Sequence, residues 1–387
     1  LRILYSHRTK SSDGQFVHIR ALTEALAALG HEVLICGPDA ISSPEDLGQQ
    51  PLDAGAGEKK GLAGMLPKPA YEAAEYAYSL HAYQRLQKAA QKFVPDIIYE
   101  RANLFYNAGK WLKQSQNLPL ILEVNAPLAE EREAHGGLWL KSLAYKQEQA
   151  LWRAANHILP VSTPLADRIR KAGIADNKIT IIPNGVLQSQ LHKGQGKSVR
   201  ARYQLGNKFV LGFTGFVRDW HGVDRVLHWL ATPQGQGVHF LLVGDGPAIP
   251  ALRQLAEKLI VASRFHITGV VQREQLSDHI AAFDIALQPR VTEYASPLKI
   301  FDYMAQGRAI IAPDQPNISE ILDHDKQALL FTPDQDQAFF ATLDRLKNDA
   351  EKRTALGHGA RKKLQDRNMT WAGNAKRVTR IAKTLLA

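Results

Sequence analysis

Two periodicities alternate along this chain. Short apolar runs of three to six residues recur at 2–6 (RILYS), 32–36 (EVLIC), 96–99 (DIIY), 120–124 (LILEV), 157–161 (HILPV) and 179–182 (ITII), then at 209–213, 238–243, 265–267, 285–287 and 309–312. They lack in–out alternation, which predicts strands buried on both faces, as in a parallel sheet covered by helices. Between them, apolar residues return every three to four positions. Over 16–29 these are Val17, Ile19, Leu22, Leu26 and Leu29, and Gly30 stops the helix. Further helices are expected at 70–93, 223–230, 249–259, 275–282 and 298–306. Strand, helix, strand is the βαβ unit, with a right-handed crossover. The last helical segments, 336–347, 351–367 and 371–386, have no strands left to cover.

The alternation breaks twice. Residues 38–68 are rich in Gly, Pro, Ala and acids without periodicity, and read as a long loop. Residues 187–207 (LQSQLHKGQGKSVRARYQLGN) are polar and basic with no buried face, and read as a linker. A chain of 387 residues exceeds one ordinary core. The expected fold is therefore α/β, with two Rossmann-like doubly wound domains facing a central cleft. They span 1–186 and 208–365, with a C-terminal helix at 366–387 packing across the junction. Ligands of such sheets bind beyond the carboxyl ends of the strands, which places the expected site in that cleft.

Composition narrows the classes. No run of eighteen apolar residues exists and the chain opens on a strand, so neither a transmembrane helix nor a signal peptide is expected, and the expected location is cytoplasmic. The single cysteine, Cys36, excludes an internal disulfide and reads as a core residue. The net charge of +10 is uneven: residues 351–387 hold 10 basic and 2 acidic side chains. That tail is either a solvated helix face or a surface drawn to the anionic inner face of a membrane. No nucleic-acid motif accompanies it.

Candidate chemistry centres on 293–307 (EYASPLKIFDYMAQG), which follows the buried run 283–289. Ser296 reads as a helix N-cap with Pro297 at the first helical position. The first-turn amides, the helix dipole and Lys299 then suit an anion such as a phosphate. Asp302, on the same face, can accept hydrogen bonds from sugar hydroxyls. Gly307 is the expected C-cap. An ordinary capped helix with surface charges is the alternative. The first βα turn, 7–15 (HRTKSSDGQ), has Gly14 as its only glycine, so it lacks G-x-G-x-x-G, against an NAD enzyme. Gly14 serves either close approach of a ligand to backbone amides or a plain turn. Asp13, Asp39 and Asp53 are scattered, and no catalytic metal is expected.

Five loops together carry a resemblance: 182–186 (IPNGV), 214–222 (TGFVRDWHG), 244–247 (GDGP), 268–271 (TGVV) and 293–307. In order and spacing they resemble the retaining, nucleotide-sugar-dependent glycosyltransferases of the GT-B fold, and more narrowly the group 1 set, glycosyltransferase family 4. The resemblance spans nearly the whole chain and is weakest over 38–95. It implies an NDP-sugar donor, UDP- or GDP-linked, with no separate cofactor, and a glycan or lipid-linked acceptor. It also implies fixed cations at the leaving phosphate. The family draws a basic pair from the glycine loop, where this chain has Phe216 and His221, so Arg218 and Lys299 are expected to take over. Arg218 as a salt-bridging surface residue is the alternative.

Of the family's E-x7-E carboxylates, Asp302 matches the second, which holds the ribose. The first falls on Tyr294, with Glu293 one residue off; either Glu293 reaches the donor sugar through a shifted loop or that contact is gone. Ser296 and Leu298, at the helix start, complete this donor loop. Gly215 would let the chain approach the phosphates, while Gly244, Asp245, Gly246, Val270 and Val271 would line the base; turn chemistry is the alternative. At 123–127 (EVNAP) many relatives place a His near the reacting carbon. Here Asn125 can hold the sugar by hydrogen bonds but cannot shuttle a proton at neutral pH. The implied mechanism has the leaving phosphate take the acceptor's proton on the face where it departs. His18, Arg101 and Asn103 lie near first-domain strand ends, as acceptor contacts or structural residues.

The resemblance thus implies a retaining hexosyltransferase of bacterial surface glycan or exopolysaccharide assembly. Two other classes stay open. A nucleotide-sugar 2-epimerase shares the fold, although its carboxylates and His are lacking at the matched positions. A non-catalytic sugar-nucleotide-binding subunit is suggested by Tyr294 and Asn125.

Overall fold

The computed structural model describes residues 1–10, 14–48 and 67–387. Asp13, Asp53 and most of the stretch read as a long loop lie outside the described residues. The chain forms two compact units: Leu1–Pro183 with Tyr294–Ser296 and Trp371–Ala387, and Asn184–Glu293 with Pro297–Thr370.

In the first unit β1 (Arg2–Ser6), β2 (Glu32–Cys36), β3 (Ile41–Ser42), β4 (Ile97–Arg101), β5 (Leu120–Val124) and β6 (His157–Pro160) form one sheet in the order 3-2-1-4-5-6. All pairs are parallel except β2–β3. β4 and β5 are buried along their whole length, as strands covered on both faces must be. Residues 179–182, read as a strand, add only an isolated bridge from Ile179 to Ile158 before Pro183 turns the chain away. Helix Trp371–Leu386 belongs to this unit, where it packs on helix Gly14–Ala28 and Thr379 hydrogen-bonds His31 at 2.8 Å.

The second unit repeats the order with β7 (Phe209–Thr214), β8 (Val238–Val243), β9 (Phe265–Ile267), β10 (Ile285–Leu287), β11 (Ala309–Pro313) and β12 (Ala328–Phe331), arranged 12-11-10-7-8-9 and wholly parallel. β12 escapes the apolar pattern because it is a four-residue run between charged and turn residues. Its presence corrects the reading of the tail: helices Asp336–Asn348 and Ala350–Asp366 do have strands to cover, β12 and β11. Gly212 in β7 leaves room for the ring of Phe283, which a Cβ would meet at 2.1 Å.

The stretch read as a linker is a built part of this unit. It contains a 3-10 turn, Gln188–Leu191, and a helix, Lys197–Arg202, and buries Val199 and Leu205 in the core. Two apolar residues are a weak signal. Gly196 lets the backbone come so near Ala281 that a Cβ would sit 2.6 Å from its carbonyl carbon, which explains how so polar a segment packs.

In both sheets the order reverses beside the first strand of the fold, between β1 and β4 and between β7 and β10. These switch points are where open α/β sheets take ligands.

Candidate active site

At the switch point of the second unit, the loop after β7 and the loop after β8 are laced together by backbone. Gly215 N donates to Val243 O (2.9 Å) and Val217 N to Asp245 O (2.7 Å). A Cβ on Gly244 would sit 2.1 Å from Gly215 O, and one on Gly246 2.1 Å from Val217 O. Gly244 also has φ +138°, outside the range side chains ordinarily adopt. Its amide receives further support from Thr268 Oγ1 at 3.3 Å, and it bridges Gly269 across to the loop after β9. Three of the predicted loops therefore meet. Asp245 is exposed, its carboxylate accepting from Gly246 N at 2.7 Å; Val270 is exposed, and Val271 packs partly on the core.

The helix beyond β10 runs Leu298–Ala305. Pro297, not Ser296, is its N-cap, because Pro297 is extended (φ −74°, ψ 116°) and the helical backbone starts one residue later than expected. No capping side chain comes from Pro297; Ile300 N donates to Pro297 O at 3.1 Å, and the Leu298 and Lys299 amides are left for solvent or a ligand. The other end closes as a Schellman motif, with Gly307 at φ +60°, Gly307 N on Met304 O and Arg308 N on Tyr303 O.

Lys299 is the second residue of this helix, and its Cε lies 3.4 Å from where a Gly215 Cβ would be. The ammonium sits 4.3 Å from the centroid of the Phe213 ring. Burial pushes its pKa down to about 7, against the pull of Asp302. Burial pushes the Asp302 carboxyl up, against Arg273 and Lys299. Arg273, which sequence reasoning missed, reaches Asp302 Oδ1 at 3.4 Å and Gln190 Oε1 at 2.8 Å. Tyr303, also missed, ties the ends of β7 and β10: its hydroxyl accepts from Thr214 N at 2.9 Å and donates to Leu287 O at 3.4 Å. Arg273 belongs to no short motif that could have announced it.

Arg218 is half-buried and touches aromatic rings, with its guanidinium 4.9 Å from the Trp220 centroid and 5.4 Å from Phe216. Its backbone N donates to His221 Nδ1 at 3.0 Å. Burial, Lys299 and Arg218 hold the His221 pKa down near 3, so this imidazole stays neutral. Glu293 is exposed. Tyr294 and Ser296 belong to the first unit. There Tyr294 O accepts from Ser162 Oγ at 2.6 Å, its ring packs on the cluster around Val124 and Ile158, and Arg168 lies 5.8 Å over it.

The first unit's switch point carries a buried charge cluster. Glu123, at the end of β5, accepts four hydrogen bonds: from Tyr99 OH (2.7 Å) and His18 Nε2 (2.9 Å) on one oxygen, and from Arg101 Nη1 (2.5 Å) and Asn125 Nδ2 (2.5 Å) on the other. Burial alone would raise its pKa; His18, Arg101 and the hydrogen bonds from His18 and Asn125 more than offset that and hold the carboxyl well below the ordinary range. Burial and Arg101 likewise push His7 down to about 4. The His18 ring lies 4.5 Å from that of Trp371, and the two line a cavity of about 10 Å³ with Tyr99, Glu123 and Asn374. His18 and Arg101 are thus engaged by a carboxylate. Asn103 donates to Arg101 O at 2.8 Å. Gly14 is the exposed first residue of its helix. Among the described residues no group of three His, Cys, Asp or Glu is placed to hold a metal ion, and no helix is long and apolar enough to cross a membrane.

Residues 208–349 match the family model described as Glycosyl transferases group 1, and residues 12–187 match Glycosyltransferase Family 4. The MMP alpha-(1->4)-mannosyltransferase of Mycolicibacterium hassiacum is 23% identical, covering 93% of this chain and 92% of its own. Alpha-D-kanosaminyltransferase of Streptomyces kanamyceticus is 24% identical over 164 residues, a match spanning only 42% of each protein. Anabaena HepE, whose crystal structure was solved in complex with UDP-glucose, superposes with a TM-score of 0.76 over 99% of both chains at 16% identity. Two switch-point sheets of the same order, with family matches over both, establish the assignment: this chain belongs to the group 1, family 4 glycosyltransferases of the GT-B fold.

Proposed function

We propose that the protein transfers a hexosyl group from a UDP- or GDP-linked sugar to an acceptor hydroxyl with retention, in the assembly of a bacterial surface glycan or exopolysaccharide. One juxtaposition carries the proposal: Lys299, in the uncapped first turn of its helix, lies against the glycine loop at Gly215, with Asp302 one turn further along. Such a turn favours a diphosphate, and Asp302 suits the ribose hydroxyls. The HepE structure holds UDP-glucose, and the matched mannosyl- and kanosaminyltransferases differ in sugar. The departure at Tyr294 bears on that same choice.

In the proposed step the bond from the anomeric carbon to the phosphate oxygen breaks and the bond to the acceptor oxygen forms on the same face. The acceptor's proton passes to the departing phosphate oxygen. Lys299, Arg218 and the first-turn amides meet the charge that develops there. Asn125 holds the sugar. Incubation with UDP- and GDP-sugars tests this: a transferase releases nucleoside diphosphate and free or transferred sugar, an epimerase gives an isomeric nucleotide sugar, and a binding subunit gives neither.

Lys299 makes donor binding pH-dependent. Free, its pKa is about 7; beside a diphosphate the ammonium is favoured, so binding takes up a proton above that pH. Affinity for a nucleoside diphosphate sugar, whose phosphates do not titrate near neutrality, is expected to weaken by up to about tenfold per unit as pH rises from 7. Calorimetry at pH 8 in buffers of different ionisation enthalpy measures the uptake. Binding without it removes Lys299 from the phosphate.

The acceptor is proposed to be membrane-near. Much of the basic tail is engaged within the fold: Lys363 pairs with Asp323, Lys352 with Asp325, and Arg361 donates to Ala305 O and Leu191 O. Three exposed basic residues on the last helix, Lys376, Arg380 and Lys383, are spaced for one face. Vesicles with anionic lipid should retain the protein at low salt, and Glu at all three positions should abolish this. Equal recovery with neutral vesicles would discard the membrane clause.

A further inference from the structure

The Glu123 cluster offers more than a buried ion pair. An ionised carboxylate accepts hydrogen bonds and donates none, so all four groups around it must turn a donor inward. Three of them, Tyr99, His18 and Arg101, are buried with Glu123. The fourth, Asn125, is half-buried, two residues beyond Glu123 where β5 has ended. An amide has two chemically opposite ends. The carboxylate claims the NH2 end at 2.5 Å, which leaves Oδ1 as the outward end, without a partner among the described residues.

We infer that Glu123 is a positioning residue that fixes the polarity of Asn125, so that the amide turns its acceptor, Oδ1, toward the transferred sugar. The partner it selects is a hydroxyl of the donor sugar, which supplies the proton of that hydrogen bond. His18 and Arg101 act one step further back, keeping Glu123 ionised in a site where burial opposes charge. This rests on the proposal that Asn125 faces the sugar, and the test separates the two.

Asn125→Ala removes the amide and leaves the other three partners of Glu123 in place. Turnover should fall roughly tenfold, the size of one uncharged hydrogen bond, with the fold intact by circular dichroism and nucleoside diphosphate affinity unchanged. Full turnover in this variant would overturn the placement of Asn125 itself. Glu123→Gln reverses the polarity: the Gln NH2 can donate to Asn125 Oδ1 and draw that oxygen inward. Turnover should fall by a similar factor, again with diphosphate affinity intact. Asn125→Asp alone sets two carboxylates together and should also be impaired. In the double variant, Glu123→Gln with Asn125→Asp, the Gln donates to one Asp oxygen and the other faces outward as an acceptor. Recovery to within a few-fold of the parent enzyme, at constant fold by circular dichroism, is the expected result. Losses in the double variant equal to the product of the single losses would overturn the positioning role, because independent sites show no coupling. Should Glu123→Gln fail to fold alone, Asn125→Asp against the folded double variant reads the same coupling.

Discussion

Lys299→Ala should lower turnover on the order of a hundredfold or more, the effect of removing a group that meets charge only as the transition state forms. The fold gives little reason for collapse. Lys299 is half-buried with a pKa near 7, below the 10.5 of a free lysine, so keeping its charge opposes folding. Between those two pH values the unfolded chain binds more protons, so the wild-type protein gains stability as pH rises through the window. The alanine variant should lack that gain and melt no lower near neutrality. Activity and stability are thereby separable. A variant that melts as expected but turns over at the parental rate removes Lys299 from the site.

Gly244→Ala should have the second largest effect, by a different route. The backbone at Gly244 lies at φ +138°, and a Cβ would come within 2.1 Å of Gly215 O. Backbone strain and overlap each cost about 1–3 kcal/mol. Relief requires the glycine loop to draw away from β8, which moves Gly215 off Lys299. Calorimetric melting should show a loss of about 1–3 kcal/mol or more, and titration with nucleoside diphosphate a marked loss of affinity. An alanine variant that binds with parental affinity would show that this backbone contact does not shape the donor loop.

Much of the fold was legible because the strands are continuous apolar runs, for which burial on both faces leaves no other economical arrangement. Where the pattern failed, the signal was weak. β12 is four residues long, and 179–182 resembles a strand yet only runs beside β6. The segment 187–207 looked like a linker because close backbone approach at its glycines and only two fully buried apolar residues, Val199 and Leu205, carry much of its packing. At the candidate site, Lys299 and Asp302 were readable from a local spacing, and the glycines of the donor loops from the resemblance. Glu123 was not singled out, since its role is made by His18, Tyr99, Arg101 and Asn125 converging from separate elements. Arg273 escaped for the same reason, meeting Asp302 only in three dimensions. Tyr294 occupies a position expected to touch the donor, but its ring and carbonyl are engaged by the first unit.

The most direct test of the central claim is the fate of the anomeric carbon. The protein is incubated with UDP- and GDP-sugars of α configuration, and the products are followed by proton NMR from the first minutes. Release of nucleoside diphosphate with a newly formed α-linked or α-configured sugar is the predicted result. A β-configured product, an isomerised nucleotide sugar, or donors that bind and remain intact would contradict it.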